Sequence, residues 1–153
     1  MTTIEERLAA MGWQLPEAAA PLASYVPFAQ TRNLIFVSGQ LPFKNGEIIT
    51  GRLGDNMATE EGRVAAEACA IGIIAQIKGA LNGEFGRIRK LMKLEGFVAS
   101  TPDFTEHPEV INGASDLMVE LFGTRGQHSR AAVGVSSLPR GAAVEIAATF
   151  SVD

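Results

Sequence analysis

A single cysteine, Cys69, leaves this chain of 153 residues without any internal disulfide, which excludes a disulfide framework and fits a reducing compartment. Long hydrophobic runs are absent too. No stretch approaches the roughly 20 apolar residues that a membrane helix needs. The N-terminal MTTIEERLAAMGWQLPEAAAPLASY places acids at once and no basic run before an apolar core, which is not a secretory pattern. Positive charge is scarce: the formal net charge is -4, so no bulk field draws nucleic acid or anionic lipid. The one basic cluster, Arg87 to Lys93, alternates with apolar residues and reads as the solvated edge of a strand. Without a basic stripe or stacking aromatics, a dedicated RNA binder is disfavoured.

Several chemistries lack their motifs. His107, His128 and Cys69 show no zinc spacing, and Cys69 lies among small apolar residues as a buried structural thiol would. Gly79, Gly83 and Gly86 come without a Walker lysine or dinucleotide spacing, and read as a flexible connector. No G-x-S-x-G elbow is present. The expectation is a cytoplasmic protein with no metal, no membrane partner and no nucleic-acid partner.

What is present is an ordinary globular balance, 46% hydrophobic and 20% charged, of a size that fits one domain over residues 1–153. Residues 1–24 form an N-terminal helix and extension. A short amphipathic helix runs from Thr3 to Met11, with Ile4, Leu8 and Met11 on one side and Gly12 as its stop. Pro16 to Pro21 is a surface connector. Leu34 to Val37 is a strand followed by Ser38-Gly39-Gln40. Glu47 to Thr50 is a second strand after a Lys44-Asn45-Gly46 turn. A long helix starts near Thr59 as N-cap and ends at Lys78 before Gly79. Ile88 to Ala99 alternates, with Ile88, Met92, Leu94 and Val98 on the buried side. A second long helix opens at Pro108 and stops at Gly123. Strands Ala131 to Ser136 and Ala143 to Val152 close the chain. The fold class is therefore α/β in the α+β sense: a single mixed sheet with two helices on one face. The other face is either polar or covered by another subunit.

The most informative residues are Arg130, which opens an apolar strand, and Glu145, inside the last one. Each shares its strand face with small side chains, Ala132 and Gly134 for Arg130, Ala147 and Thr149 for Glu145. An arginine fork matches a carboxylate with two parallel hydrogen bonds, and a carboxylate beside it can orient water or exchange protons. The pattern alone also allows two plain strand-edge charges, paired with each other. If Leu138 to Gly141 made a tight hairpin, Gly134 would face Glu145 and Arg130 would face Thr149. The two charges would then lie about 13 Å apart, and a shared pocket would need another strand order, long side-chain reach or a second subunit. His107 needs only a capping or surface role at its helix start. His128, two residues from Arg130, either lines the same pocket or is merely exposed.

The stretch Ser129-Arg130-Ala131-Ala132-Val133, then Leu138-Pro139 and Val144-Glu145-Ile146, resembles the C-terminal signature of the Rid/YjgF family of reactive intermediate deaminases, also known as L-PSP endoribonucleases. Tyr25-Val26 and Ser38-Gly39-Gln40 match its N-terminal tyrosine and Ser-Gly-Gln strand end. Asn112 matches a family asparagine if one residue is inserted before Arg130. The resemblance runs from about Tyr25 to the end of the chain. It departs at Ala132, where archetypes have cysteine, at His128, where Pro or Ala is usual, and at Ala23-Ser24, where Gly-Pro is usual. Those departures suggest a divergent subgroup. The resemblance implies a chorismate mutase-like fold and a homotrimer with pockets at the subunit interfaces. It also implies cofactor-free hydrolysis of enamines and imines, such as 2-aminoacrylate, to 2-keto acids and ammonia. Carried over, Arg130 clamps the substrate carboxylate and Glu145 positions or activates water. Tyr25, Ser38, Gly39, Asn112, Ala132 and His128 shape the pocket. The alternative is a non-enzymatic binder or sensor of small carboxylates using the same Arg130.

Overall fold

The computed structural model describes residues 3–18 and 24–153. The end of the expected Pro16 to Pro21 connector, with Ala23, lies outside the described residues. Helix α1 spans Ile4–Ala10, with Thr3 and Glu6 exchanging the two hydrogen bonds of a capping box at its start. Strands β1 (Phe28–Thr31), β2 (Leu34–Gln40), β3 (Phe43–Lys44) and β4 (Glu47–Ile48) follow. Helix α2 (Thr59–Ala80), β5 (Ile88–Ala99), α3 (His107–Phe122), β6 (Ser129–Val135) and β7 (Val144–Val152) complete the order.

Five strands form one mixed sheet in the order β1-β2-β7-β5-β6. Only β5 and β6 run parallel, and α3 makes the crossover between them. Both long helices pack on one face. Ile35, Val37, Leu94, Val98, Ile146 and Phe150 from the sheet meet Ile73, Ile74, Ile77, Ile111 and Leu121 from the helices in a single buried cluster. Gly96 of β5 lets α3 come down onto the sheet, since a Cβ there would sit 2.6 Å from Ile111. The opposite face leaves Leu34, Phe36 and Val133 exposed. Among the described residues, no helix is long and apolar enough to cross a membrane.

The expected elements exist, with several corrections. Strands β1 and β3 were not anticipated. The Asn45-Gly46 turn is as expected, both residues at positive φ between Lys44 and Glu47, although β4 stops at Ile48. Ala58, not Thr59, is the N-cap of α2, and Glu61 accepts its backbone N–H. Gly79 lies inside that helix, and the reversal after it uses Asn82 and Gly83, both at positive φ. The alternation proposed for β5 fails at Met92, which is exposed, while Leu91 is fully buried. Two register irregularities against β7, between Ile88 and Lys90 and between Leu91 and Lys93, each insert an extra residue. The buried residues of β5 are thus Ile88, Leu91 and Leu94, three apart, before strict alternation resumes. Lastly, β6 and β7 do not form a hairpin, because β5 lies between them.

Candidate functional site

That strand order decides where Arg130 and Glu145 lie. Arg130 pairs with Leu94, which in turn pairs with Ala148. Cross-strand partners share a face, so Arg130 projects to the helix side of the edge strand β6. There its guanidinium runs along α3. Nη1 donates to Ser115 Oγ at 3.0 Å and Nη2 to the Pro108 carbonyl at 3.3 Å. Among the described residues no carboxylate pairs with it. The strand-edge ion pair with Glu145 is not formed.

Helical spacing puts Pro108, Asn112 and Ser115 on one side of α3, so Asn112 belongs to the Arg130 group. Ala132, opposite Gly96, continues the same strand face and packs against the core. His128 is half-buried rather than merely exposed. Its Nε2 lies 2.8 Å from Ser115 Oγ and its Nδ1 2.6 Å from the Gly126 carbonyl. Burial lowers its pKa. The Gly126 carbonyl opposes that, and the cations Arg130 and Lys90 add to it.

Glu145 pairs with Phe97, which pairs with Val133, three residues along β6 from Arg130. It therefore points to the open face, opposite Arg130, and sits two strand spacings away. Around it, β2 carries an irregularity between Val37 and Gln40 that places Ser38 and Gly39 out of the regular ladder. A Cβ on Gly39 would lie 2.6 Å from Glu145 Oε2, so only a glycine leaves the carboxylate where it is. Ser38 Oγ donates to the Val26 carbonyl at 2.7 Å, which ties the segment bearing the exposed Tyr25 to this end of β2. Burial raises the Glu145 pKa.

The expected site residues thus separate into two groups. Arg130, Asn112, His128 and Ala132 stand on the helix side of one sheet edge. Tyr25, Ser38, Gly39 and Glu145 stand around β2 and β7. One copy of the chain does not bring them into a common pocket. The strand order is not the hairpin's, yet it does not unite the two charges, because it places Arg130 and Glu145 on opposite faces of the sheet.

Ser115 and the Pro108 carbonyl escaped the reading of the sequence, although Ser115 is one helical step from Asn112. A second contact was missed at His107, whose Nε2 is 3.3 Å from Ser100 Oγ and whose ring meets Phe104 edge-on. This pair borders a cavity of about 410 Å³ with Arg52, Gly134 and Ser136. A larger one, about 710 Å³, lies under the N-terminal segment between Trp13, Gln40, Lys44 and Gly72. Neither is lined by Arg130 or Glu145. Cys69 is buried with its thiol 3.6 Å from the Val144 carbonyl, and burial, then the Glu145 charge, pushes its pKa well up. It is inert. Among the described residues, no group of three or more His, Cys, Asp or Glu side chains converges as a metal site requires.

Residues 5–146 match the family described as "YjgF/chorismate mutase-like, putative endoribonuclease". Protein TCP17 of Trypanosoma cruzi is 45% identical, over 98% of this chain and 94% of that protein. The crystal structure of Atu1372 from Agrobacterium tumefaciens, a protein with unknown function, is 50% identical and superposes with a TM-score of 0.93, covering 98% of this chain and 92% of that one. A putative endoribonuclease from Shewanella oneidensis, 35% identical, gives the same TM-score over 99% of this chain and 100% of its own. With a family match over nearly its whole length and relatives this similar, the chain belongs to the YjgF/chorismate mutase-like family.

Proposed function

We propose that the protein hydrolyses the imine or enamine forms of small amino acids, 2-aminoacrylate among them, to 2-keto acids and ammonia. The reaction takes place in a pocket completed between copies of the chain in a homotrimer. The observation that carries this reading is the state of Arg130. Its guanidinium is held by two neutral oxygens and no carboxylate, so its charge is left for a ligand. A small carboxylate fits that fork with two parallel hydrogen bonds. The exposed Leu34, Phe36 and Val133 on the open face favour burial against a second copy, which is where Glu145 points.

The chemistry follows from the groups present. With the substrate carboxylate on Arg130, the imine carbon beside it is already electrophilic. Glu145, raised in pKa by burial, takes a proton from water as the water oxygen bonds to that carbon. That proton passes to nitrogen to give a carbinolamine; the remaining hydroxyl proton then moves through the Glu145 carboxylate to the same nitrogen as the C–N bond breaks with its electron pair leaving on nitrogen and the carbon–oxygen double bond forms. One water is consumed and one ammonia released. Positioning and charge neutralisation supply the acceleration.

The test follows 2-keto acid release from freshly generated 2-aminoacrylate, with wild type beside Arg130→Ala and Glu145→Gln. Acceleration lost in Arg130→Ala, with melting unchanged, is the expected result. Wild-type protein that binds pyruvate through Arg130 but gives no acceleration across several imino acids would move the assignment to a carboxylate binder or sensor.

A further inference from the structure

The contacts behind Arg130 fix one another. The Gly126 carbonyl can only accept a hydrogen bond, so the His128 Nδ1 beside it carries a proton and donates. Ser115 Oγ already accepts from Arg130 Nη1, and its own single proton is free to point at His128 Nε2. Nε2 accepts that proton only in the neutral ring. With the ring neutral the chain runs in one direction: Arg130 donates to Ser115, Ser115 to His128, and His128 to Gly126.

We propose that Ser115 and His128 are positioning residues for Arg130. The neutral imidazole aims the Ser115 hydroxyl, and that oxygen, with the Pro108 carbonyl, holds the guanidinium with its remaining N–H donors turned to an incoming carboxylate. The inference rests on the clamp reading of Arg130 given above.

The surroundings keep the imidazole neutral. From β6 it faces Arg130, from β5 Lys90, and from α3 Ser115. On the 123–126 turn, Arg125 spends its guanidinium on the Ile88 carbonyl at 2.9 Å, and Gly126 offers only its carbonyl. Asp116, next to Ser115 on α3, is engaged with Arg63. No carboxylate among the described residues reaches the ring to favour its cation. A proton on Nε2 would face Ser115 Oγ with a second cationic donor beside Arg130, and the hold on the guanidinium would loosen.

Three readouts test the pair. In wild type at pH 7.5, the ¹⁵N shifts of His128 should report the Nδ1–H tautomer; an Nε2–H tautomer or a charged ring overturns the inference by itself. Ser115→Ala should weaken pyruvate binding and raise KM about tenfold, with kcat within about threefold, as expected for losing a hydrogen bond to a charged group. Ser115→Thr, which keeps the hydroxyl, should restore both. Wild-type affinity in Ser115→Ala, or no rescue by threonine, overturns the positioning role. Arg130→Ala separates the two levels. Binding and turnover that survive its loss remove the clamp reading and this inference together, whereas their loss beside an unaffected Ser115→Ala removes this inference alone. Should either serine variant fail to fold, the wild-type tautomer still decides.

Discussion

Alanine at Gly39 separates the function of Glu145 from its contribution to folding. A Cβ on Gly39 would stand 2.6 Å from Glu145 Oε2 and 2.9 Å from its Cδ. Ordinary contact begins near about 3.5 Å, so the carboxylate must retreat by on the order of 1 Å. It can do so, because what it meets is the end of a flexible side chain on the open face of the sheet. Gly39 is not among the residues at positive φ, so alanine adopts its backbone without strain. The folding cost is then within about 1 kcal/mol, a change in melting temperature of about 2–4 °C for a domain this size. Displacing a group that must position water by about 1 Å can cost on the order of 100-fold in rate. Gly39→Ala should therefore melt like wild type and lose between about 10- and 100-fold in kcat/KM for 2-aminoacrylate. Keto acid release under matched protein concentrations, beside a thermal melt, measures both. Wild-type turnover in a variant that melts normally would refute the role of Glu145 at this position. A melting drop of about 10 °C or more would instead show that the carboxylate cannot give way and that the close approach is structural.

Gly113→Ala should behave in the opposite way, since its Cβ would run into the backbone carbonyl of Arg63 on α2, which cannot move alone. Overpacking of that kind costs about 1–3 kcal/mol, and calorimetry showing no drop in melting temperature would contradict the close α2–α3 crossing. Phe36→Glu places a charge among the exposed apolar residues of the open face and should shift the protein from the proposed trimer to monomer in sedimentation, with the proposed turnover lost although Arg130 and Glu145 are intact. A monomeric wild type, or a trimeric and active variant, would exclude that face as the interface. Glu145 has a folded pKa above its unfolded value because burial disfavours the charge, so its stabilising effect is complete below the unfolded pKa and is lost as pH rises through the folded one. Glu145→Gln should then melt higher than wild type at pH 7, the gap closing toward pH 4, and further burial by a second copy acts in the same direction. A gap that widens on acidification would reverse the sign of the burial effect.

Much of the fold was legible because local chemistry and tertiary structure agree. Asn45-Gly46 closes its hairpin, Gly12 at positive φ follows α1, and Pro108 and Gly123 bracket α3 where their backbone preferences put them. What failed depended on partners distant in sequence. Met92 has the right parity for burial in isolation, but two bulges against β7 advance the phase of β5 and bury Leu91. Nothing within β5 announces them. The stop at Gly79 failed for a related reason: α2 gains one more buried contact through Leu81, and two residues at positive φ were available just beyond it. Strand β1 was overlooked because it is a mostly exposed edge strand, whose stability comes from the ladder with β2 and not from an apolar pattern of its own.

The candidate residues stand out in the sequence and their relative placement does not, and strand parity explains the difference. Arg130 and Glu145 each announce themselves as a charge among small neighbours in an otherwise apolar strand. Whether they meet depends on which residues of β5 they flank. Leu94 and Phe97 are three apart on a stretch without a bulge, so their side chains leave the sheet on opposite faces, and their partners Arg130 and Glu145 do the same. Shifting either ladder by one residue would bring both charges to one face, close enough to matter within a single subunit. The observed register keeps an unpaired guanidinium on one side and a partly buried carboxylate on the other. Neutralising either would take a side chain this subunit does not place there. A small carboxylate can meet the first, and a second copy of the chain can bring the second to it. On this reading a pocket divided between copies follows from the register of three strands, and the Phe36→Glu variant tests the assembly that the register calls for.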